Sequence, residues 1–398
     1  METDVPDLER NHLHWFRKDL RLHDNPALLK CLENCENFYG VYILDTEAWL
    51  HLKTNSSSTI WRFILQCLNE LNDKLRNFNS RLFVVQGSPL RVLPTLFEKW
   101  KVSRLTFNTA CDLYSKGRED VVFSLASIAN VEVITQTSHT LFEIERYIEG
   151  NGGNVPINLE EFQHVFSSLG QPLPPVECVE ARHFANCATP NSDWLEANFG
   201  IPTLEDLEFV DMSNISTTSL MNGGEDEGLG HFKNFVEEIT RYDEGKKSQS
   251  PRESSRLSPY FKFGCLSVRY VCHEVQRYIS KRDVISGFLK GLETRDFFIM
   301  LASRIRNWDR INGNPVCLDI PWEENSEYLK QFRQGKTGFP WIDANIAKLK
   351  QEGWITYEAR QSLAYFLTRG CLWISWEEGV KVRDRSLFMA GVGAEEKV

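Results

Sequence analysis

The chain has 398 residues, 42% hydrophobic and 12% aromatic, enough for two or three domains with real cores. Its net charge of −10 gives no bulk electrostatic support to duplex binding, although a local basic groove can coexist with acidic surface elsewhere. Ten cysteines stand singly or as Cys31-x3-Cys35, with no C-x-x-C pair and no zinc-spaced Cys/His set, which argues against a structural metal or a disulfide framework.

The start, Met1 to Arg10, is rich in Asp and Glu and unlike a signal or transit peptide. No later stretch has the apolar length of a membrane span, so nucleus or cytoplasm is the expected location, with no membrane partner. Strands are predicted at His12–Phe16, Phe38–Leu44, Arg81–Val85, Arg104–Phe107 and Val131–Ile134. Between the second and third, Ile60, Phe63, Ile64, Cys67, Leu68, Leu71 and Leu75 recur on one helical face behind the capping run Ser56 to Thr59. Strands alternating with helices predict a doubly wound parallel five-stranded sheet in an α/β domain over 11–140. Ligands of such sheets sit beyond the strand C-termini, here the loops Arg17–Asn25, Asp45–Ala48, Gly87–Ser88 and Asn108–Asp112. No G-x-G-x-x-G follows any strand, which disfavours a dinucleotide dehydrogenase.

Periodicity fades over 150–230, where Gly152-Gly153, Pro174-Pro175 and the run Gly223 to Gly228 mark a long connector, with a short helical piece expected near Leu204–Phe209. The acids Glu225 to Glu227 read as a solvated linker. From His231 to Lys381 the signals are helical, so the predicted architecture is α/β followed by all-α. Ser258 before Pro259 reads as a helix N-cap with a first-turn proline, and Ser267 as a second cap before Val271, Cys272, Val275 and Ile279. Small hydroxyl residues at a helix N-terminus also suit a phosphate, and on the residues alone two capped helices account for them equally. Five tryptophans, at 322, 341, 354, 373 and 376, crowd the C-terminal helical region, where they serve either packing or one-electron chemistry.

Several strings in fixed order resemble the photolyase/cryptochrome family, in its animal cryptochrome/(6-4) photolyase-like branch, from about Asn11 to Lys381. They are Trp15-Phe16-Arg17-Lys18-Asp19-Leu20-Arg21-Leu22-His23-Asp24-Asn25, Ser254 to Tyr260, Lys262 to Ser267, Thr337 to Ala344 and Phe366 to Gly379. The resemblance implies a helical FAD-binding domain. Ser254, Ser255, Arg256, Leu257 and Ser258, with Tyr242 twelve residues upstream, would meet the FAD pyrophosphate and adenosine, and Arg295 and Arg360 would take flavin-side positions. It also implies an electron relay with Trp376 in the middle, Trp322 distal and Trp373 as an extra member, 373 and 376 facing one way along a helix. Trp341 and Trp354 are assigned to the core. An antenna pigment of open identity is a further expectation near Asp45, Glu47, His23 and Asp24, although those residues by themselves read as solvated loop polars.

Three departures from the family bear on function. The tail Val382–Val398 differs from the family's continuation and marks the chain as C-terminally truncated: the segment that would supply the carboxylate beside Arg360, the residue facing flavin N5 and the proximal tryptophan is replaced. Weak FAD binding by the 398-residue chain is the expectation that follows. The two positions where repair enzymes of the (6-4) type carry a histidine pair hold Tyr357 and Gln361, and the position of a lesion-stacking tryptophan holds Thr294. The reading is therefore a cryptochrome-like FAD-binding blue-light photoreceptor or signalling protein without DNA repair, working with protein signalling partners. The alternatives are an FAD-dependent photolyase acting on damaged DNA, and a flavin-free circadian-type transcriptional regulator.

Overall fold

The computed structural model describes residues 10–45, 58–111, 113–190, 195, 198–207, 221–243, 255–277, 282–308, 310–318 and 320–383. The five predicted strands form at β1 (Asn11–Phe16), β2 (Asn37–Leu44), β3 (Leu82–Gln86), β4 (Arg104–Asn108) and β5 (Glu132–Gln136). All pairings are parallel, in the order β3-β2-β1-β4-β5, so the winding reverses between β1 and β4. The crossovers include α1 (Pro26–Leu32), α2 (Ser58–Arg76), α3 (Pro89–Lys99) and α4 (Leu113–Ile128).

Period two sorts the strand side chains between two cores. Leu13, Trp15, Tyr39, Val41, Ile43 and Phe83 face one way, onto α3 and α4. Phe16, Phe38, Leu44, Leu82 and Val84 face the other, onto the apolar stripe of α2, where the predicted residues from Ile60 to Leu75 are all buried. That second core does not stop at the sheet's helical cover. It runs on through Tyr260, Phe261, Leu266, Val271 and Phe297, so the C-terminal helices pack onto the α/β part as one apolar body. Phe63 of α2 lies 5.5 Å from the ring of Tyr260 and 5.4 Å from that of Phe263, pairs worth about 0.5–1.5 kcal/mol each beyond area burial.

The connector departs from its sequence reading. After α5 (Ile144–Gly150), a helix forms at α6 (Leu159–Ser168) and a 3-10 turn at Ala181–Phe184. Residues 204–207 only turn, with Leu207 buried, and 208–209 lie outside the described residues. Helix α7 (Glu225–Asp243) begins six residues before His231. The glycine run is there for close approach: a Cβ on Gly223 would stand 2.1 Å from the Phe63 carbonyl oxygen, and one on Gly224 1.7 Å from Glu70 Oε2. The acids that follow form the first turn of α7, where the helix dipole favours negative charge, so the solvated-linker reading is corrected.

Among the described residues no strand follows β5. The chain continues as α8 (Ser258–Phe263), α9 (Val268–Gln276), α10 (Arg282–Arg304), α11 (Ser326–Gln334), α12 (Pro340–Glu352), α13 (Tyr357–Tyr365), a π turn over Phe366–Gly370 and α14 (Trp376–Arg383). Helices α11 to α13 and the segment before α14 enclose a small separate core of Phe332, Ile342, Ile346, Ile355, Leu363, Leu367 and Ile374. No helix of the described residues is long and apolar enough to cross a membrane.

Candidate functional site

The switch point between β1 and β4 is where a doubly wound sheet offers its ligand crevice. Here the loop 17–25 fills it. Asp19 is fully buried there, accepting from Asn108 Nδ2 at 2.6 Å and from the Arg17 amide at 2.7 Å, with His14 Nε2 at 3.4 Å. Burial alone would raise its carboxyl, but the hydrogen bond and charge of His14, with Arg17 N–H and Asn108, hold it below the usual range. The side chain of Asn25 caps α1 by accepting from the Leu28 amide at 3.2 Å, and also accepts from Asn108 Nδ2 at 2.9 Å.

The same loop fastens the helical region. Arg21, 1% exposed, donates to the carbonyls of His23, Asp24 and Gly264 at 2.8–3.0 Å. Asp24 receives Arg269 Nη2 at 2.6 Å and the Ser267 hydroxyl, and accepts from the Val176 amide at 2.9 Å. Glu225 accepts from the Leu22 and His23 amides at 3.0 and 2.8 Å, from Lys74 Nζ at 2.9 Å and from the His23 ring. Burial raises the Glu225 carboxyl, yet the hydrogen bond and charge of His23, then Lys74, more than reverse this and leave it at about 2. His23 and Asp24 are thus buried joints between the two parts, which corrects the solvated-loop reading. Asp45 pairs with Arg118, and Glu47 lies outside the described residues. The signal for this joint is the density of charge in R-K-D-L-R-L-H-D directly after an apolar strand, but its partners stand more than 200 residues away.

A second buried group joins α10 to the loop after β5. Asp296 accepts from the Leu141 amide at 2.7 Å and from Tyr147 Oη at 2.8 Å, and burial lifts its carboxyl to about 6 against the opposing charge of Arg295. Arg295 donates to the His139 carbonyl at 2.8 Å and reaches Asp296 Oδ1 at 3.2 Å. Its guanidinium is therefore spent on this joint, with Phe261 of α8 behind it at 5.9 Å.

The predicted phosphate cradle lies at the start of α8. Ser258 is the first helical residue and Leu257 the cap residue, with no side-chain cap bond, so Ser258 does not cap as expected. Ser267 does, accepting from the Tyr270 amide. Ser255, Arg256 and Ser258 are half-buried and Leu257 fully buried. Arg256 takes a left-handed backbone, φ 57°, and lays its guanidinium 5.3 Å from the ring of Trp354, a buried core residue as assigned. Trp354 Nε1 is buried with no hydrogen-bond partner among the described residues. Two half-buried hydroxyls, one guanidinium and an orphaned indole N–H are a donor set that fits a phosphate or ribose oxygen. Ser254 and the side chain of Tyr242 lie outside the described residues.

The ring side is built differently. Arg360 is buried, 5.9 Å from the Tyr357 ring. Trp322 and Trp373 bring their ring centroids to 6.5 Å, and the Glu323 amide donates to the Trp373 carbonyl at 2.8 Å. Trp373 does not share a helical face with Trp376: it sits in a turn at φ 54° and the helix starts only at Trp376, which is buried. The non-helical Thr368 (φ −96°, ψ −117°) kinks the chain within the preceding Phe366–Gly370 segment. Trp341, assigned to the core, is 62% exposed beside exposed Phe339, because the buried face of α12 is carried by Ile342 and Ile346 instead. Tyr357 and Gln361 stand one turn apart on α13 and share a hydrogen bond of 2.6 Å, while Thr294 donates back to the Lys290 carbonyl within its own helix.

Comparisons with known proteins agree with this layout. The family model for DNA photolyase matches residues 12–178, and that for the FAD binding domain of DNA photolyase matches 288–395, reaching into the tail. Cryptochrome-1 of Macaca fascicularis is 40% identical over 390 residues, which cover 96% of this chain and 66% of that protein. Cryptochrome-2 of Gallus gallus is 39% identical over 387 residues, 95% and 66% of the two chains. This chain thus spans just under two thirds of the cryptochromes it matches. Among solved structures, a bacterial class III photolyase from Agrobacterium tumefaciens superposes with a TM-score of 0.78 at 23% identity, covering 99% of this chain and 80% of that one. An archaeal photolyase from Sulfolobus tokodaii, solved with two FAD molecules, gives 0.74 at 25% identity, covering 97% and 82%.

Proposed function

Since this chain belongs to the photolyase/cryptochrome family, we propose that it is a cryptochrome-like FAD-binding photoreceptor or signalling protein without lesion repair. The observation that carries the reading is the Tyr357–Gln361 hydrogen bond. It ties up the two positions from which a repair enzyme of the (6-4) type would deliver a proton. A tyrosine, with a reference pKa of about 10, releases a proton near neutral pH only under heavy perturbation, and a glutamine amide does not titrate.

Ser254, Ser255 and Ser258, with Arg256 and the Trp354 N–H, would hold the phosphate and ribose oxygens of FAD, and Tyr242 the adenosine side. When bound, the flavin supplies absorption of blue light and one-electron chemistry. Trp322 and Trp373, with Trp376 three residues on, would be the oxidisable rings of a relay to the flavin, with Trp373, 44% exposed, as its surface outlet. Arg295, held by His139 and Asp296, acts by fixing α10 against the α/β part. The exposed rings of Phe339, Trp341 and Tyr365 favour a second reading, a flavin-free regulator that binds protein partners through its helical surface.

The expected result for repair is none: oligonucleotides carrying (6-4) photoproducts, illuminated with the chain and FAD, should return no restored bases above a no-protein control. Clear turnover would overturn the assignment. Light-dependent change of the flavin spectrum without turnover separates the photoreceptor from the flavin-free regulator, for which no such change occurs.

A further inference from the structure

We propose that Cys35 and Cys187 form a peroxide-driven, reversible disulfide that locks the connector onto the N-terminal end of β2. Their sulfurs stand 3.0 Å apart, about 1 Å beyond the covalent distance of roughly 2.05 Å. The backbone around them is held by independent bonds: the Ala188 amide donates to the Glu36 carbonyl at 2.8 Å, and the Phe38 amide to the Ala188 carbonyl at 2.7 Å. A parallel bridge pairs Asn37 with Ala188. Each cysteine precedes this bridge by one or two residues, so the two sulfurs meet across a fixed pairing. Phe184 adds apolar anchorage, its ring 5.4 Å from both Phe38 and Phe78.

Exposure assigns the roles. Cys187 is half-buried and within reach of a small oxidant, whereas Cys35 is 4% exposed. Cys187 is therefore the sulfur that meets the oxidant and attacks, and the hydrogen bond to Cys187, with burial, pushes the Cys35 thiol up, which suits it to the second, resolving step. The Cys187 thiolate takes one oxygen from hydrogen peroxide to give a sulfenic acid and hydroxide, which becomes water with the proton that Cys187 released. The Cys35 sulfur then bonds to the Cys187 sulfur, and its proton leaves with the displaced hydroxyl as a second water. Two thiols and one peroxide thus yield one disulfide and two waters.

A second pair supplies an internal comparison. Cys67 and Cys265 are 3.2 Å apart but 1% and 0% exposed, with no surface for an oxidant to reach. The closed loop would span 152 positions, a long one, so the cross-link restricts the unfolded chain strongly. The pair lies at the opposite end of the sheet from the switch point, and its chemistry is independent of flavin.

The test uses the full chain, purified in reductant, desalted and treated with hydrogen peroxide. Free thiols counted after denaturation should fall by two from ten. A non-reducing digest should give one linked peptide pair containing Cys35 and Cys187, lighter by two hydrogens and released by dithiothreitol. Cys187→Ser should abolish that link, and Cys35→Ser should leave Cys187 as a dimedone-reactive sulfenic acid. If Cys35→Ser does not fold, the parent chain and Cys187→Ser decide the matter alone. Separate alkylation of Cys35 and Cys187 after peroxide, or a link between Cys67 and Cys265 in their place, would overturn the proposal.

Discussion

Replacing Glu225 by alanine is expected to cost about 3–5 kcal/mol of stability, the range for removing one partner from a buried ionic network. Its carboxylate is 5% exposed and answers two backbone amides, the His23 ring and Lys74 at once. Without it, Lys74 keeps only Glu70 and Asp226, and the amides of Leu22 and His23 lose their acceptor in a site closed to water. Acid should act the same way on the parent chain. The folded carboxyl sits at about 2 against an ordinary 4.5, so its contribution is fully present above pH 4.5 and is lost as pH falls from there toward 2. The shift corresponds to about 3 kcal/mol. Denaturant titrations at several pH values should show this loss in the parent and a flatter acid limb in Glu225→Ala. A variant losing under about 1 kcal/mol at pH 7 would mean that the joint is not closed as described.

Gly264→Ala is expected to be nearly as damaging, at about 3 kcal/mol or more, because two costs add there. The residue ends α8 in a left-handed conformation, φ 69°, which a side chain disfavours. An added Cβ would also stand 1.9 Å from the Lys18 carbonyl oxygen and 2.7 Å from the Asp19 amide nitrogen. Both are backbone atoms of the loop that fills the switch point, so neither yields without moving Arg21, which donates to the Gly264 carbonyl at 2.8 Å. Gly287→Ala serves as the control, since that helical glycine has nothing within 4 Å of an added Cβ and gains about 0.5–1 kcal/mol from helix propensity. Thermal melts of the two variants should move in opposite directions. Equal shifts would show that α8 does not press on the loop.

The elements whose side chains obey a short period were legible in the sequence. All five strands and the stripe of α2 follow from local alternation, because each apolar residue there is decided by its own element's buried face. The cap at Ser267 was legible for the same reason. What local pattern could not supply is pairing at long range. His23, Asp24 and Glu225 look like loop polars until the chain brings His23 to Glu225 and Asp24 to Ser267 across more than 200 residues. The exposure of Trp341 was missed because tryptophan argues for burial while α12 turns Ile342 and Ile346 inward. The helical face drawn through Trp373 and Trp376 failed at Thr368 and the turn after it, where no proline marks the break.

The account stands most directly on equilibrium FAD binding, followed by flavin fluorescence and by absorbance after gel filtration. The chain is expected to take up FAD saturably, through the hydroxyls of Ser255 and Ser258 and the Arg256 guanidinium beside Trp354. Affinity should fall when Ser255 and Ser258 become alanine. No saturable uptake, or uptake indifferent to Ser255 and Ser258, would contradict the assignment of this chain as a cryptochrome-like flavoprotein.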